Sequence, residues 1–317
     1  MRAVVLVGGF GTRLRPLTLT TPKPMLPVAG VPMIERTVAL LGSHGVDEVI
    51  LSLGFGSDAF TEAYPDGTCA GVELRYVIEP EPLDTAGAVR FAADEVGLDD
   101  RFIMANSDVM TDLDLTALVA FHERSAAEGT IALTPVDDPS HFGVVPTDAD
   151  GRVEAFVEKP APGTAPTNLI NAGFYVLEAS AVKRIAPGEK VSIERVTFPS
   201  MVADRVLFAL ADDSYWIDVG TPERYVQANL DLRADASDQR GWVAPSAEVA
   251  DDAVVRDSVV LDGAVIESGA SVSRSIVGAG AVIGAGASVD DLCVVGPGVR
   301  IDGGARLSGV RVPEPRS

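Results

Sequence analysis

The chain has 317 residues, 47% of them hydrophobic, and a formal charge of -21, which provides for one large or two modest buried cores in a globular protein. So negative a surface repels nucleic-acid phosphates and acidic membranes and argues against both as partners. Met1 to Val7 holds too few apolar residues ahead of Gly8 and Gly9 for a signal-peptide core or a membrane span, pointing to a cytoplasmic protein. Cys69 and Cys293 form no C-x-x-C pair, so they read as small apolar fillers and not as a disulfide framework or zinc knuckle.

Up to about residue 235, short apolar runs alternate with stretches of helical periodicity, the pattern of a Rossmann-like, mostly parallel sheet with helices on both faces. Strands are expected at Ala3 to Val7, Glu48 to Leu53, Glu73 to Ile78, Arg101 to Ala105 and Thr130 to Val136. Helices are expected to start near Pro32, Thr85 and Leu115. Ligands of such sheets collect at the carboxyl ends of the strands, which gives weight to Gly8, Glu79 and Asn106 to Asp108. From Met1 to Ile34 there is no acidic residue, while Arg2, Arg13, Arg15 and Lys23 are present. In so acidic a chain, a locally cationic segment implies that a small anion is received there.

A helix from about Pro222 to Arg233 and a polar linker, Ala234 to Gly241, close this first domain, taken as residues 1–235. From Trp242 onward aliphatic residues recur every six positions: Val243, Val249, Val255; Val260, Ile266, Val272; Ile283, Val289, Val295, Ile301, Leu307. Gly, Ala, Ser and Asp fill the intervals, and the phase slips by about a residue between runs. This is the pattern of a left-handed β-helix of hexapeptide repeats over residues 242–312. The region contains no histidine, so oligomerisation or regulation suits it better than the acyl transfer some such helices catalyse, and a homo-oligomer built through it is expected.

The loop Val5-Leu-Val-Gly-Gly-Phe-Gly-Thr-Arg-Leu-Arg-Pro-Leu-Thr18, joined by Pro22-Lys-Pro-Met25, follows the first strand. It is neither a P-loop nor a complete G-x-G-x-x-G, yet the physical logic is related. Gly8, Gly9 and Gly11 let the backbone approach a triphosphate, and Arg13 and Lys23 supply charge to a departing pyrophosphate. His44 and His122 fall in helical stretches and read as surface or packing residues; His141 borders the Phe142-Gly143 segment.

These segments resemble the nucleotide-sugar pyrophosphorylases, whose signature is G-G-x-G-T-R-L-x-P-L-T followed by P-K-P. The resemblance continues to about residue 230 through Asn106-Ser-Asp-Val109, Glu158-Lys-Pro160, Ile170-Asn-Ala-Gly-Phe-Tyr175 and Trp216-Ile-Asp-Val-Gly-Thr-Pro222. It implies that the backbone around Leu6, Gly8, Gly9, Gly11 and Thr12, with Gly87 and Asn106, holds base and phosphates, while Arg13 and Lys23 grip the triphosphate. It implies further that Asp108 and Asp218 hold Mg²⁺, and that Gly143, Glu158, Lys159 and Asn171 receive the sugar phosphate. A sugar 1-phosphate is already ionised and attacks the α-phosphorus without a general base, so the reaction needs alignment and charge neutralisation and no Ser-His-Asp pattern.

The turn Glu79-Pro-Glu-Pro-Leu-Asp-Thr-Ala-Gly-Ala88 matches the base-binding turn of that family. Uridylyl and thymidylyl members generally carry glutamine where Glu79 stands, whereas a carboxylate accepts from both adjacent donors of guanine, which favours GTP. The Leu-Val-Gly-Gly opening and the ending Val312-Pro-Glu-Pro-Arg316 resemble members that pair GTP with mannose 1-phosphate. Glucose 1-phosphate with dTTP or UTP, and a non-catalytic regulatory subunit, remain open at this stage. The sequence departs from the family at Asp84 and Ser107, both usually glycine, where side chains are expected to alter the base contact and to crowd the ribose.

Overall fold

The computed structural model describes residues 1–54, 56–235 and 237–314. Ala236 of the expected linker and the last residues of the Val312 to Arg316 ending therefore lie outside the described residues. The chain divides into two compact units, one formed by Met1–Gly9 and Ile34–Trp216, the other by Phe10–Met33 and the chain from Ile217 onward.

At the centre of the first unit lie four parallel strands: β1 (Arg2–Val7), β2 (Glu48–Leu53), β3 (Val72–Ile78) and β4 (Phe102–Asn106), in the order β4, β1, β2, β3. These are four of the five expected strands, each within a residue or so of its expected bounds, and the fifth is Gly129–Pro135, further along the sheet. Each is almost wholly apolar where it is covered on both faces, as in Ala3 to Val5 and Val49 to Leu51. Beyond β4 the sheet continues through β5 (Gly129–Pro135), β6 (Leu169–Leu177) and β7 (Leu207–Ala211). There β6 runs antiparallel to both β4 and β5, and β7 runs parallel to β5.

Neither β6 nor β7 is among the strands read from sequence. β6 is interrupted by a bulge between Asn171 and Tyr175, and Gly173 within it has φ 80°, so the alternation that marks a strand is broken midway.

Three helices of this region are α1 (Met33–Ser43), α2 (Asp84–Val96) and α3 (Leu115–Arg124). The buried face of α2 consists of Ala86, Gly87, Ala88, Val89, Ala92 and Ala93, small enough for the helix axis to approach closely, and Gly97 in the left-handed region ends it. His122 on α3 is fully buried, a packing residue whose ring nitrogens meet Thr130 Oγ1 at 2.8 Å and Glu178 Oε1 at 3.1 Å. Burial holds its imidazole below the ordinary value. Both cysteines are free and buried.

In the second unit α4 (Pro222–Asp231), capped by Thr221, precedes a β-helix of three parallel ladders. Val249, Ile266, Ile283 and Ile301 stack along one ladder, Val255, Val272, Val289 and Leu307 along another, and Val260, Val277, Val295 and Val312 along the third. All but Val277 and Val312 are the hexad aliphatics of the sequence, and the three ladders form one continuous apolar core. A coil of three hexads would take 18 residues. Val249 to Ile266 and Ile266 to Ile283 each take 17 and Ile283 to Ile301 takes 18, which is the source of the phase slip. Coils are tight enough that a Cβ on Gly284 would lie 2.6 Å from the Ile301 carbonyl oxygen.

Candidate active site

The register of the first sheet brings several of the predicted residues to one carboxyl edge. Leu6 lies opposite Ser52 on one side and Asn106 on the other, and Leu53 lies opposite Ile78. Just past these strand ends come Gly8, Gly9, Glu79 and Asp108. Gly8 and Gly9 are exposed, and a Cβ on either would meet no atom within 4 Å. Gly9, at φ 98°, needs glycine for its backbone. At Gly8 neither a neighbouring atom nor a positive φ requires glycine, and its backbone lies open at the sheet edge.

The Glu79 carboxylate is fixed in direction by two donors. Ser52 Oγ donates to Oε1 at 3.0 Å and the Leu83 amide donates to Oε2 at 3.2 Å; Ser52 itself is fully buried. Each oxygen retains a lone pair, so the pair forms an oriented acceptor fork. Asp84 has φ 61° and accepts the Thr85 amide at 2.8 Å; the glycine-like backbone of the turn is kept, and the carboxylate is exposed. Ser107 is tied to the end of β1. Its hydroxyl and amide both donate to the Leu6 carbonyl, at 2.7 and 3.3 Å, and the residue is buried. The helical Gly87 has a packing reason as well, since a Cβ there would lie 2.5 Å from the Glu189 carbonyl oxygen.

The other predicted residues of this unit gather around Tyr175. Its phenol is fully buried and accepts from Asn171 Nδ2 at 2.8 Å, while Asn171 Oδ1 accepts the Gly173 amide at 3.0 Å across the bulge. Burial first, then the carboxylates of Glu194, Asp108 and Glu158, push the Tyr175 phenol up, against the hydrogen bond from Asn171. Gly143 pairs with Glu158 across two short strands, and a Cβ there would lie 2.6 Å from the Phe156 ring and 3.2 Å from Glu158 Oε2, so the glycine leaves room chiefly for that ring. Lys159 is 61% exposed, meets Glu158 Oε1 at 2.9 Å, and holds φ 47° just before Pro160. A non-glycine residue in that conformation costs about 1–3 kcal/mol and is characteristic of functional loops.

Glu194 is the residue that sequence reasoning missed. It lies in a π-helical turn, Ile193–Thr197, and its Oε2 accepts from Thr85 Oγ1 at 2.8 Å and Ser192 Oγ at 2.7 Å. Single π turns concentrate at functional sites, but no local pattern announces that a residue 109 positions from Thr85 joins this cluster.

The second unit carries Arg13, Arg15 and Lys23. Gly11, at φ 55°, begins a short 3-10 turn, Thr12–Leu14, and its carbonyl accepts from Thr18 Oγ1 at 2.8 Å. A Cβ on Gly11 would lie 2.9 Å from Thr18 Cγ2 and 3.1 Å from Lys23 Cβ, so the glycine lets Lys23 pack against the loop. Thr12 and Arg13 are exposed, and Arg13 makes no hydrogen bond or ion pair among the described residues. Arg15 Nε is buried with no hydrogen-bond partner there, a cost of about 1–3 kcal/mol that a bound anion would relieve. Lys23 Nζ stands 4.0 Å from Asp218 Oδ1. A Cβ on Gly220 would come within 3.1 Å of Asp218 Oδ1, and the cap of α4 is Thr221, so helix capping does not account for Asp218.

Asp108 and Asp218 offer hard oxygens of the kind Mg²⁺ takes. Among the described residues no three His, Cys, Asp or Glu side chains are placed to hold a metal ion.

Fold and side chains together define an α/β protein with a mostly parallel sheet in its first unit and a β-helix in its second. The chain belongs to the nucleotidyl transferase family, which matches residues 2–235, and the GMPPB C-terminal domain family matches residues 225–316. It is similar to a mannose-1-phosphate guanylyltransferase of Mycobacterium tuberculosis, 43% identical over 232 residues, covering 73% of this chain and 64% of that protein. A mannose-1-phosphate guanyltransferase of Schizosaccharomyces pombe is 41% identical over 230 residues, covering 71% of this chain and 62% of that one. The match thus spans less than two thirds of the length of these relatives. HddC from Yersinia pseudotuberculosis, crystallised with GMP-PN, is similar in structure with a TM-score of 0.63 and 31% identity, covering 73% of this chain and 99% of that one. No helix among the described residues is long and apolar enough to cross a membrane.

Proposed function

We propose that the chain is a sugar-1-phosphate nucleotidyltransferase that converts GTP and mannose 1-phosphate to GDP-mannose and pyrophosphate. The observation that carries the reading is the carboxyl edge of the sheet, where the open Gly8 and Gly9, the oriented Glu79 fork and Asp108 follow neighbouring strands. The names of the relatives support the guanylyl and mannose assignments, and a neighbour crystallised with GMP-PN supports a guanine nucleotide.

In this reading Glu79 accepts from guanine N1-H and the N2 amine, with Ser52 and Leu83 holding its direction. Leu6, Gly8, Gly9, Gly11, Thr12, Gly87 and Asn106 supply backbone or close approach for base, ribose and phosphates. Glu158 and Asn171, joined by Glu194, meet sugar hydroxyls, and Lys159 with Gly143 receives the sugar phosphate. A phosphate oxygen of mannose 1-phosphate then forms a bond to the α-phosphorus of GTP as the bond to the β-phosphate oxygen breaks. Arg13 and Lys23 neutralise the charge that accumulates on departing pyrophosphate. Asp108 and Asp218 are the carboxylates that would hold Mg²⁺, which supplies charge neutralisation to the phosphates when bound. A cytoplasmic homo-oligomer assembled through the β-helix completes the proposal.

The test is pyrophosphate release from four nucleoside triphosphates against mannose, glucose and N-acetylglucosamine 1-phosphates. The reading expects GTP with mannose 1-phosphate to give the highest kcat/KM; a higher value for dTTP or UTP with glucose 1-phosphate would replace it.

A further inference from the structure

The segment Phe10–Met33 carries Arg13 and Lys23 but has little secondary structure of its own. It contains three 3-10 turns, Thr12–Leu14, Leu17–Leu19 and Lys23–Met25, and a two-residue hairpin. A segment of this kind takes its shape from what it packs against. It clusters with α4 and the β-helix in one compact unit, and its anchors within that unit can be named.

The hairpin end is held at three points. Tyr225, fully buried on α4, donates its hydroxyl to the Pro27 carbonyl at 2.5 Å. Asn229, one turn further and also fully buried, accepts the Ala29 amide at 2.8 Å, and its Nδ2 donates to the Tyr225 carbonyl at 2.8 Å, which fixes the amide orientation. Gly30, at φ 80°, lies beneath the indole of Trp242, where a Cβ would come within 2.7 Å of Cζ2. The other end rests on the β-helix itself: a Cβ on Gly296 would lie 3.0 Å from Pro16 Cγ. Lys23 lies between these anchors in the chain, and Arg15 and Arg13 come just before Pro16.

We propose that α4 and the C-terminal repeat region together are a positioning element for the phosphate-gripping loop, with Asn229 on α4 and Trp242 and Gly296 in the repeat region as the positioning residues. The inference rests on the loop's assignment to the triphosphate. The residues touch no substrate; they act by holding the backbone that presents the cations, where a displacement of about 1 Å costs up to about a hundredfold in a positioned reaction.

Three full-length variants test it. In Gly296→Ala a single methyl presses on Pro16 and in Trp242→Ala the cover of Gly30 is removed. Gly284→Ala is the control, because its methyl strains the same β-helix against Ile301, away from the loop. Calorimetric Kd values for GTP and for mannose 1-phosphate are measured with melting temperatures. The expected result is a rise of about tenfold in the Kd for GTP in Gly296→Ala and Trp242→Ala, with the Kd for mannose 1-phosphate within about twofold of wild type. Gly284→Ala should melt lower yet bind GTP as wild type does. A GTP Kd unchanged in Gly296→Ala, or raised equally in Gly284→Ala, would overturn the proposal. If Trp242→Ala does not fold, Gly296→Ala and Trp242→Phe decide the question. Because the readout is binding, a wild-type chain that binds GTP but releases no pyrophosphate refutes the proposed activity and not this role of the repeats.

Discussion

The two units treat their functional groups in opposite ways. In the first, each principal acceptor is fixed by neighbours: Glu79 by Ser52 and Leu83, Glu194 by Thr85 and Ser192, the Asn171 amide by Tyr175 and Gly173. In the second, Arg13 has no partner among the described residues and Arg15 Nε is buried without one. In the proposed function the difference follows from the ligands assigned to each unit. Base edges and sugar hydroxyls are read by direction, so their acceptors gain from being aimed in advance. Phosphates are read by charge, which acts over longer distances, so the cations need only a correctly placed backbone.

Removing a charge the reaction requires breaks this picture hardest. Asp108→Asn, nearly isosteric, should lower turnover about a thousandfold while circular dichroism stays that of the wild type; near-normal turnover would remove Asp108 from the metal site. Arg13→Ala should lower kcat/KM for GTP about a hundredfold. Since Arg13 supports no described contact, its melting temperature should be unchanged. A lower melting temperature would show that the cation serves the fold.

The aimed acceptors predict smaller effects. Glu79→Gln keeps the shape of the fork but offers guanine a donor where it needs an acceptor, so the ratio of kcat/KM for GTP over UTP should drop about tenfold. An unchanged ratio would mean that the fork does not read the base. The smallest effect belongs to the turn beside it. Asp84→Gly relieves a side chain at φ 61° and should raise unfolding stability by about 0.5 kcal/mol in a denaturant titration, after the entropy that glycine costs.

How much of this was written in the sequence depended on how local the cause was. β1 to β4 and the hexad ladders were readable because alternation and period are properties of neighbouring residues, and the phase slip between hexads became intelligible once coils of 17 and 18 residues were seen. β6 was recognised only as a motif, because the bulge at Asn171 to Tyr175 interrupts its pattern. Ser107 stands out as a departure, yet its hydrogen bond to Leu6, 101 residues away, has no local signal. Glu194 and the anchors Asn229 and Trp242 were silent for the same reason: their partners, Thr85, Ala29 and Gly30, are distant in the chain.

The most direct test of the central claim is pyrophosphate release by the wild-type chain from GTP and mannose 1-phosphate, with Mg²⁺ and then with EDTA in excess. Release that requires both substrates and ceases on chelation is the predicted result. Release undiminished by EDTA, or none from this pair while another pair turns over, would contradict it.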